Sequence, residues 1–373
     1  MIGREVLGGL RGPRRAKWQR LYQMRAECAG SMSWNCLPLC IGSLPHNDPA
    51  KAVDLVLRHL KRIPYWPQLP ALGFRENMYA QYSIKLPGAR IDEEGKRIIV
   101  DLANYDPHEF YEAVISEDLE HFAHPRESFR GLHELLSRPL SEEAVAIKGQ
   151  VTGPVSLGLQ VFDSTGKSVI YDDAYGEIVR KNLNLMLRWQ ESKLREKCPR
   201  TIMFLDEPSL SLVGTPFAAI SPSQVKAWID EVFEGVKGCK GLHCCGNTDW
   251  PTVLDTKIDI LSFDAYSYGH TISLYPGEVT SFLDRGGTIA WGMVPNSEET
   301  LNAETMGSLL ERFDSSIERL VAKGIPRSKI VENSLVTPQC GLGGLSEELS
   351  ETAVRMLVSL SEEFRKRNEL EEA

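Results

Sequence analysis

The sequence is poor in three features that would place it in a familiar class: basic charge, long apolar runs and cysteine. Its 373 residues include 42 Lys or Arg against 51 Asp or Glu, a formal net charge of −9. A surface that neutralises phosphates needs a basic excess, so nucleic acid is not an expected partner. No stretch of about 18 uncharged apolar residues is present, which argues against a membrane span. The eight cysteines are too few for a disulfide scaffold, and no apolar signal peptide precedes them.

The composition that remains is that of a globular chain, with 42% hydrophobic and 25% charged residues. We therefore expect a cytoplasmic protein in a reducing compartment, where clustered cysteines serve metal binding or catalysis. The first 25 residues carry seven basic side chains against Glu5, a net charge of +6, which leaves −15 for the rest. A basic, acid-poor start is typical of a targeting segment, but this one is poor in serine and weakly patterned. We interpret residues 1–35 as a basic extension and residues 36–373 as one catalytic domain.

Short apolar runs alternate with helical patterns from about residue 36 onward. Eight of these runs are predicted strands: Leu37–Gly42, Tyr65–Leu69, Ala144–Gln150, Ile202–Asp206, Gly241–Cys245, Ile258–Asp264, Thr288–Gly292 and Lys329–Val336. Strands that alternate with helices indicate an α/β protein with a parallel sheet and crossover helices. The number eight favours a closed (β/α)8 TIM barrel over an open sheet. No GxGxxG or GxxxxGK[ST] motif follows the first strand, which argues against nucleotide-binding folds.

One stretch, residues 85–104, breaks this alternation. Asp92-Glu93-Glu94-Gly95 lies between β-forming residues and predicts a hairpin inserted after the second strand. Loops at the carboxyl end of a barrel carry function, so the hairpin is a candidate substrate wall. A purely decorative hairpin is the alternative.

The segment richest in reactive side chains ends the fifth predicted strand, at His243-Cys244-Cys245-Gly246. Positions two apart on a strand face the same way, so His243 and Cys245 can point together toward the barrel mouth. Cys340 follows the eighth strand among glycines that allow close approach. All strand ends ring one mouth, so these three residues can form a zinc site whose fourth position stays open. Asp264, at the end of the sixth strand, is a further ligand or a partner that orients one.

Zinc held in this way favours thiol chemistry. A free thiol has a pKa of about 8.5 and is mostly protonated near neutral pH, whereas a thiol bound to zinc is deprotonated. Two thiolates on the metal reduce its Lewis acidity, which disfavours the activation of water. Hydrolysis nevertheless stays open as an alternative on these residues alone.

Two other strand ends carry candidate substrate contacts. Ser43 ends the first strand and can hold a carboxylate, or can cap the helix that follows. Asp206 and Glu207 end the fourth strand, where adjacent acids are costly unless a cation pairs with them. That cation is either a substrate amine or a nearby Arg or Lys. Cys36 and Cys40 are interpreted as buried core cysteines.

These residues resemble the superfamily that contains the catalytic barrel of cobalamin-independent methionine synthase, uroporphyrinogen decarboxylase and the methylcobamide:coenzyme M methyltransferases. The resemblance spans nearly all of residues 38–360. In the synthase barrel, an Ile-Gly-Ser turn and an Asp-Glu-Pro turn hold homocysteine, and they are similar to Ile41-Gly42-Ser43 and Asp206-Glu207-Pro208. The family's zinc ligands fall on His243, Cys245, Asp264 and Cys340, with Asp264 standing where the synthase has Glu. The decarboxylase shares Thr152-Gly153-Pro154, but lacks the cysteine site.

The departures from this family bear on the methyl donor. The synthase has a second barrel that helps to bind methylfolate, and a histidine after strand 7 that resembles a general acid. This chain predicts one barrel, and its matching segment, residues 291–295, has no histidine. Removing a methyl group from folate N5 requires a proton, whereas Co(I) leaves a methylcorrinoid without one. Gln68 is a substitute polar contact for a synthase Glu that has no clear match.

The resemblance therefore implies a zinc-dependent methyltransferase that acts on a thiol. Homocysteine is the first candidate acceptor, and a methylcorrinoid, free or on a corrinoid protein, is the first candidate donor. Coenzyme M or methyltetrahydrofolate, a decarboxylase-like enzyme, and a non-catalytic corrinoid- or metal-binding protein are the alternatives.

Overall fold

The computed structural model describes residues 33–370. The predicted basic extension therefore lies outside the described residues except for its last three, residues 33–35. Of these, Trp34 is 4% exposed and packs into the apolar core. Within residues 33–370, no helix combines the length and apolarity that a membrane crossing requires.

Residues 33–370 form an α/β architecture with ten strands in two sheets. The strands are β1 Leu37–Pro38, β2 Ala89–Asp92, β3 Arg97–Val100, β4 Ile147–Thr152, β5 Val161–Asp163, β6 Thr201–Asp206, β7 Cys239–Cys244, β8 Ile260–Phe263, β9 Thr288–Val294 and β10 Ser334–Pro338. Seven of them form one parallel sheet in the order β1-β10-β9-β8-β7-β6-β4. Strands that are consecutive in this sheet are joined through helices, as parallel pairing requires.

Fourteen α-helices connect and cover the strands within the described part of the chain. They are α1 Pro49–His59, α2 Met78–Gln81, α3 His108–Ile115, α4 Arg130–Ser137, α5 Pro154–Gln160, α6 Asp173–Lys197, α7 Pro222–Val232, α8 Trp250–Leu254, α9 Ala265–Tyr268, α10 Pro276–Asp284, α11 Glu298–Ala303, α12 Met306–Val321, α13 Arg327–Glu332 and α14 Glu347–Arg367. Local chemistry sets several of their starts. Asp48 caps α1 ahead of Pro49, and Ser221 and Gln224 form a capping box at α7.

The seven-stranded sheet is curled. One apolar cluster contains Leu37 and Leu39 from the β1 edge, Ala146 beside β4 at the other edge, and Ile202, Phe204, Ile260, Ala290 and Leu335 from strands between them. Side chains from both edges meet only if the sheet bends around them. These positions alternate along each strand, so residues two apart from them face the same concave interior. The other faces of the strands pack against the helices in a larger cluster.

The predicted second strand is not a strand of this sheet. The segment around Tyr65–Leu69 lies between the two edge strands and makes isolated bridges, Tyr65 to Lys148 on one side and Gln68 to Ser43 on the other. Pro64 and Pro67 remove backbone donors here, which prevents a continuous ladder. The backbone hydrogen bonds within residues 33–370 thus define a curled sheet of seven parallel strands, and they do not define the closed eight-stranded barrel that the sequence predicts.

The strand predicted at Lys329–Val336 begins later in the structure than the sequence pattern indicates. Residues 327–332 form α13, which begins after Pro326, and the strand begins only at Ser334. An apolar run such as Ile330-Val331 fits a helix and a strand equally well when taken alone. The predicted hairpin is confirmed: β2 and β3 pair antiparallel, and β5 joins them as a third strand.

Candidate metal centre

The centre lies at the carboxyl end of the concave face, where His243 is the fifth residue of β7. This residue is in register with Asp206 of β6 on one side and Ser262 of β8 on the other. Cys239 of β7 belongs to the concave cluster, and His243 lies four residues further along the same strand. The two-residue period therefore directs His243, and Cys245 after it, toward the interior.

His243, Cys245 and Cys340 converge. Their ligand atoms, one from each residue, all lie within 4.8 Å of one another. His243 is 2% exposed, and its Nε2 atom is buried with no hydrogen-bond partner among residues 33–370. One imidazole nitrogen and two sulfurs at this spacing suit tetrahedral zinc and leave a fourth position. The sequence prediction of a group that can hold a metal is supported by this geometry.

Ser262 orients the His243 ring through its Nδ1 atom. Its Nδ1 lies 3.0 Å from the Ser262 hydroxyl oxygen. With the proton on Nδ1, the ring donates to Ser262, and Nε2 is left as a lone pair directed toward the cysteines. This is the arrangement of a ligating histidine whose other nitrogen is held by a polar neighbour.

The two cysteines of the group interact strongly with each other. The thiol of Cys340, and then the imidazole of His243, stabilise the Cys245 thiolate and lower its pKa from 9.0 to about 4. The same contact raises the pKa of Cys340 well above its ordinary value. Thiolates are the form that binds metal, and these contacts favour that form at Cys245.

Cys340 is placed by a tight contact between its loop and the first strand end. Leu342 N donates to Ser43 O at 2.9 Å, and Gly343 N donates to Ser43 Oγ at 3.3 Å. A Cβ atom on Gly341 would lie 2.1 Å from Ser43 Oγ, so any larger residue beside Cys340 would displace the Ser43 hydroxyl. Ser43 therefore anchors the cysteine loop, and its hydroxyl proton remains able to bind a carboxylate.

Asp264 lies outside the group of three. Its carboxylate accepts a hydrogen bond from Ser267 N at 2.8 Å, as the cap of α9, and two from Gln339 Nε2 at 3.2 Å. Gln339 directly precedes Cys340. Of the two roles predicted for Asp264, the geometry favours the one that orients the cysteine loop over direct ligation.

The adjacent acids of β6 separate to opposite faces. Glu207 is fully buried, and its oxygens accept hydrogen bonds from Val155 N at 2.8 Å, Ser156 N at 2.8 Å and Ser156 Oγ at 2.6 Å. It thus binds the first turn of α5, and burial raises its pKa to about 7. Glu207 therefore pairs with protein groups of α5, and its oxygens are not free for a substrate amine.

Asp206 faces the centre instead. Its Oδ1 atom is buried without a hydrogen-bond partner in the described chain. Burial raises the pKa of this carboxyl group, and the ammonium of Lys148 opposes that rise. Asp206 therefore keeps an acceptor available to a cation in the interior.

Gln68 lies beside Ser43 through backbone hydrogen bonds on both sides: Gln68 N donates to Gly42 O at 3.1 Å, and Leu44 N donates to Gln68 O at 2.9 Å. Its side chain is half-buried and donates to Gln81. Cys36 and Cys40 are buried and free, in agreement with their interpretation as core residues.

Sequence reasoning missed two residues near the centre. Lys148 is fully buried; its Nζ donates to Ile41 O and to Gln150 Oε1, and burial lowers its pKa to about 8. The signal was present, because Lys148 is the one charge inside an otherwise uncharged strand. Tyr79 of α2 is the other; burial and then the charges of Glu207, Cys245 and Cys340 raise the pKa of its phenol.

Comparison with solved structures finds the same fold in proteins of low sequence identity. A B12-independent methionine synthase from Shewanella sp. W3-18-1, in complex with selenomethionine, matches with a TM-score of 0.54 at 14% identity, over 89% of this chain and 99% of that one. A candidate vitamin-B12-independent methionine synthase from Listeria monocytogenes matches with a TM-score of 0.52 at 13% identity, over 88% and 98% of the two chains. No protein-family model matches the chain, and no curated protein matches it.

Proposed function

We propose that this protein is a zinc-dependent methyltransferase that moves a methyl group from a methylcorrinoid to a thiol, with homocysteine as the acceptor and methionine as the product. The observation that carries the proposal is the convergence of a His243 ring nitrogen with the sulfurs of Cys245 and Cys340, and Nε2 is the ring nitrogen that Ser262 leaves available. The fold shared with two proteins described as B12-independent methionine synthases adds support.

The three residues would hold zinc, which when bound lowers the pKa of a coordinated thiol so that the thiolate is available at neutral pH. The chain's own residues orient the rest of the acceptor. The Ser43 hydroxyl donates to its carboxylate, and Asp206 Oδ1 accepts from its ammonium. In the transfer, a sulfur–carbon bond forms as the carbon–cobalt bond breaks in line, and cobalt keeps both electrons of that bond.

A methylcorrinoid is favoured as donor because its leaving group needs no proton. The segment at the end of β9 that would hold a general acid reads Trp291-Gly292-Met293-Val294-Pro295, and Trp291, Met293 and Val294 are fully buried apolar side chains. The structural neighbours are a B12-independent methionine synthase and a candidate vitamin-B12-independent methionine synthase, which favours a second candidate with the same acceptor, in which methyltetrahydrofolate is the donor. A partner corrinoid protein belongs to the first candidate only.

The test combines metal content with turnover on one preparation. The wild-type protein should bind one zinc ion per chain and convert methylcobalamin and homocysteine to cob(I)alamin and methionine, followed by the corrin absorption spectrum. The Cys245→Ser, Cys340→Ser double variant should lose both, whereas Cys36→Ser, a buried cysteine outside the group, should keep both. Unchanged zinc stoichiometry in the double variant would overturn the site, and turnover with methyltetrahydrofolate alone would select the second donor.

A further inference from the structure

A chain of three buried or half-buried polar side chains leads from helix α2 to the substrate end of the sheet. Gln68 Nε2 donates to Gln81 Oε1 at 2.6 Å, and Gln81 Nε2 donates to Glu76 Oε2 at 3.1 Å. Glu76 and Gln81 are 1% and 0% exposed. None of these three residues belongs to the metal centre, and the hydrogen bonds of a buried amide determine which way its nitrogen and its oxygen face.

One backbone atom determines the direction of the whole chain. Gln81 Nε2 also donates to Ser128 O at 2.6 Å, and a backbone carbonyl is always an acceptor. The amide nitrogen of Gln81 must therefore face Ser128, and its oxygen must face Gln68. A reversed Gln68 amide would place two acceptor oxygens 2.6 Å apart, which removes the hydrogen bond and adds repulsion.

Glu76 holds the other end of the chain. Its Oε1 accepts a hydrogen bond from Arg130 N at 3.1 Å, so both of its oxygens have donors. The amide of Gln68 is thereby fixed with one N–H committed to Gln81, while no described residue donates to its Oε1 atom. Gln68 lies beside Ser43, whose hydroxyl touches the loop of Cys340.

We infer that Glu76 and Gln81 are positioning residues that fix Gln68 as a hydrogen-bond acceptor, and that this acceptor makes the enzyme select thiols bearing an ammonium group. The inference rests on the proposed function: it gives the homocysteine ammonium, which donates to Asp206 in that proposal, a second acceptor. A sulfonate or a second carboxylate offers only acceptor atoms and would meet Gln68 Oε1 unpaired, whereas an ammonium offers three donors. A site can discriminate against a substrate whose groups leave one of its acceptors unpaired.

The experiment compares two acceptors, L-homocysteine and its desamino analogue 4-mercaptobutanoate, with methylcobalamin as donor. Gln81→Leu leaves Gln68 in place but removes the group that orients it. We expect kcat/KM for homocysteine to fall about tenfold, the scale of one hydrogen bond to a charged group, mainly through KM. The value for 4-mercaptobutanoate should not change, and zinc content should remain that of the wild type.

A double-variant cycle separates positioning from general damage. If Gln81 acts only through Gln68, the Gln68→Leu, Gln81→Leu protein should match Gln68→Leu alone, because the effects are not additive. Asn182→Leu is the matched control: it removes another fully buried amide, one that donates to Tyr82 O, and should lower stability without changing the preference between the thiols.

The outcomes are distinct. Equal losses of kcat/KM for both thiols in Gln81→Leu, or additive losses in the double variant, would overturn the positioning role of Glu76 and Gln81. A wild-type protein that methylates both thiols equally well would also overturn it and leave the methyltransferase proposal standing. A protein that binds zinc and methylates no thiol from any donor would overturn both.

Discussion

The contact between His243 and Ser262 gives a prediction that needs no substrate. Ser262→Ala removes the hydroxyl that lies 3.0 Å from His243 Nδ1. Both residues are buried, at 2% and 0% exposure, so water does not replace the lost partner. A buried donor left without an acceptor costs about 1–3 kcal/mol, and the ring also loses the contact that directs Nε2 toward the cysteines.

That cost falls on the state with zinc bound, because metal on Nε2 forces the proton onto Nδ1. Without metal, the proton can move to Nε2, next to the Cys245 thiolate. A tenfold change in affinity corresponds to about 1.4 kcal/mol, and partners behind ligating histidines typically contribute 10- to 100-fold. We therefore expect Ser262→Ala to bind zinc about 10- to 100-fold more weakly than the wild type, measured by competition with a chromophoric chelator.

Two further variants make the measurement decisive. Ser262→Thr keeps the hydroxyl and should retain most of the affinity. Ser361→Ala removes a different buried hydroxyl, which donates to Cys36 O at 2.7 Å before the first strand, and should reduce stability without changing zinc affinity. The reasoning is refuted if Ser262→Ala binds zinc as the wild type does while it loses as much stability as Ser361→Ala.

Three other predictions follow from single contacts. Gly341→Ala should lower zinc stoichiometry, because its Cβ would lie 2.1 Å from Ser43 Oγ, whereas Gly344→Ala has nothing within 4 Å and should bind zinc normally; equal metal contents would contradict this. Glu207→Ala leaves two amides and one hydroxyl of α5 without their acceptor and should reduce the free energy of unfolding in urea by about 4 kcal/mol, and a loss below 1 kcal/mol would count against the contact. Burial raises the pKa of Glu76 from 4.5 to about 7, so the folded state keeps a proton that the unfolded state releases, and the free energy of unfolding should fall as the pH rises through this range. Glu76→Gln should flatten that slope in urea titrations at successive pH values, and an unchanged slope would be inconsistent with the assignment.

The convergence of distant residues was predictable because it depends only on strand direction and period. His243 and Cys340 lie about 100 positions apart, yet His243 is near the end of β7 and Cys340 follows β10, and the carboxyl ends of these parallel strands meet at one edge of the sheet. The same period predicts opposite faces for Asp206 and Glu207. The sequence interpretation assigned both to the substrate, and the structure divides them, with Glu207 turned to α5.

The strand predicted at Tyr65–Leu69 is reduced to isolated bridges because Pro64 and Pro67 lack backbone donors, a signal that the sequence contains. Two other features depend on tertiary context that no local pattern contains. The start of β10 depends on which elements α13 packs against, since Ile330-Val331 suits either period. The relay from Glu76 to Gln68 joins residues whose only common sequence feature is polarity, and the backbone atom that orients it comes from residue 128.

The polar atoms left without partners also bear on where function resides. Three of them, Asp206 Oδ1, His243 Nε2 and Thr337 Oγ1, belong to inward-facing positions at the carboxyl end of the sheet. Each costs the folded state about 1–3 kcal/mol compared with a satisfied group, and an apolar residue in its place would cost less. The concave cluster at the other end of the sheet is made largely of apolar side chains such as Leu37, Ile202 and Phe204, so these three unpaired atoms stand together at the carboxyl end. Binding of a metal ion and of hydrogen-bond donors would offset this cost. We therefore expect apolar substitutions at these three positions to raise the free energy of unfolding and to weaken the binding of zinc or of the acceptor thiol.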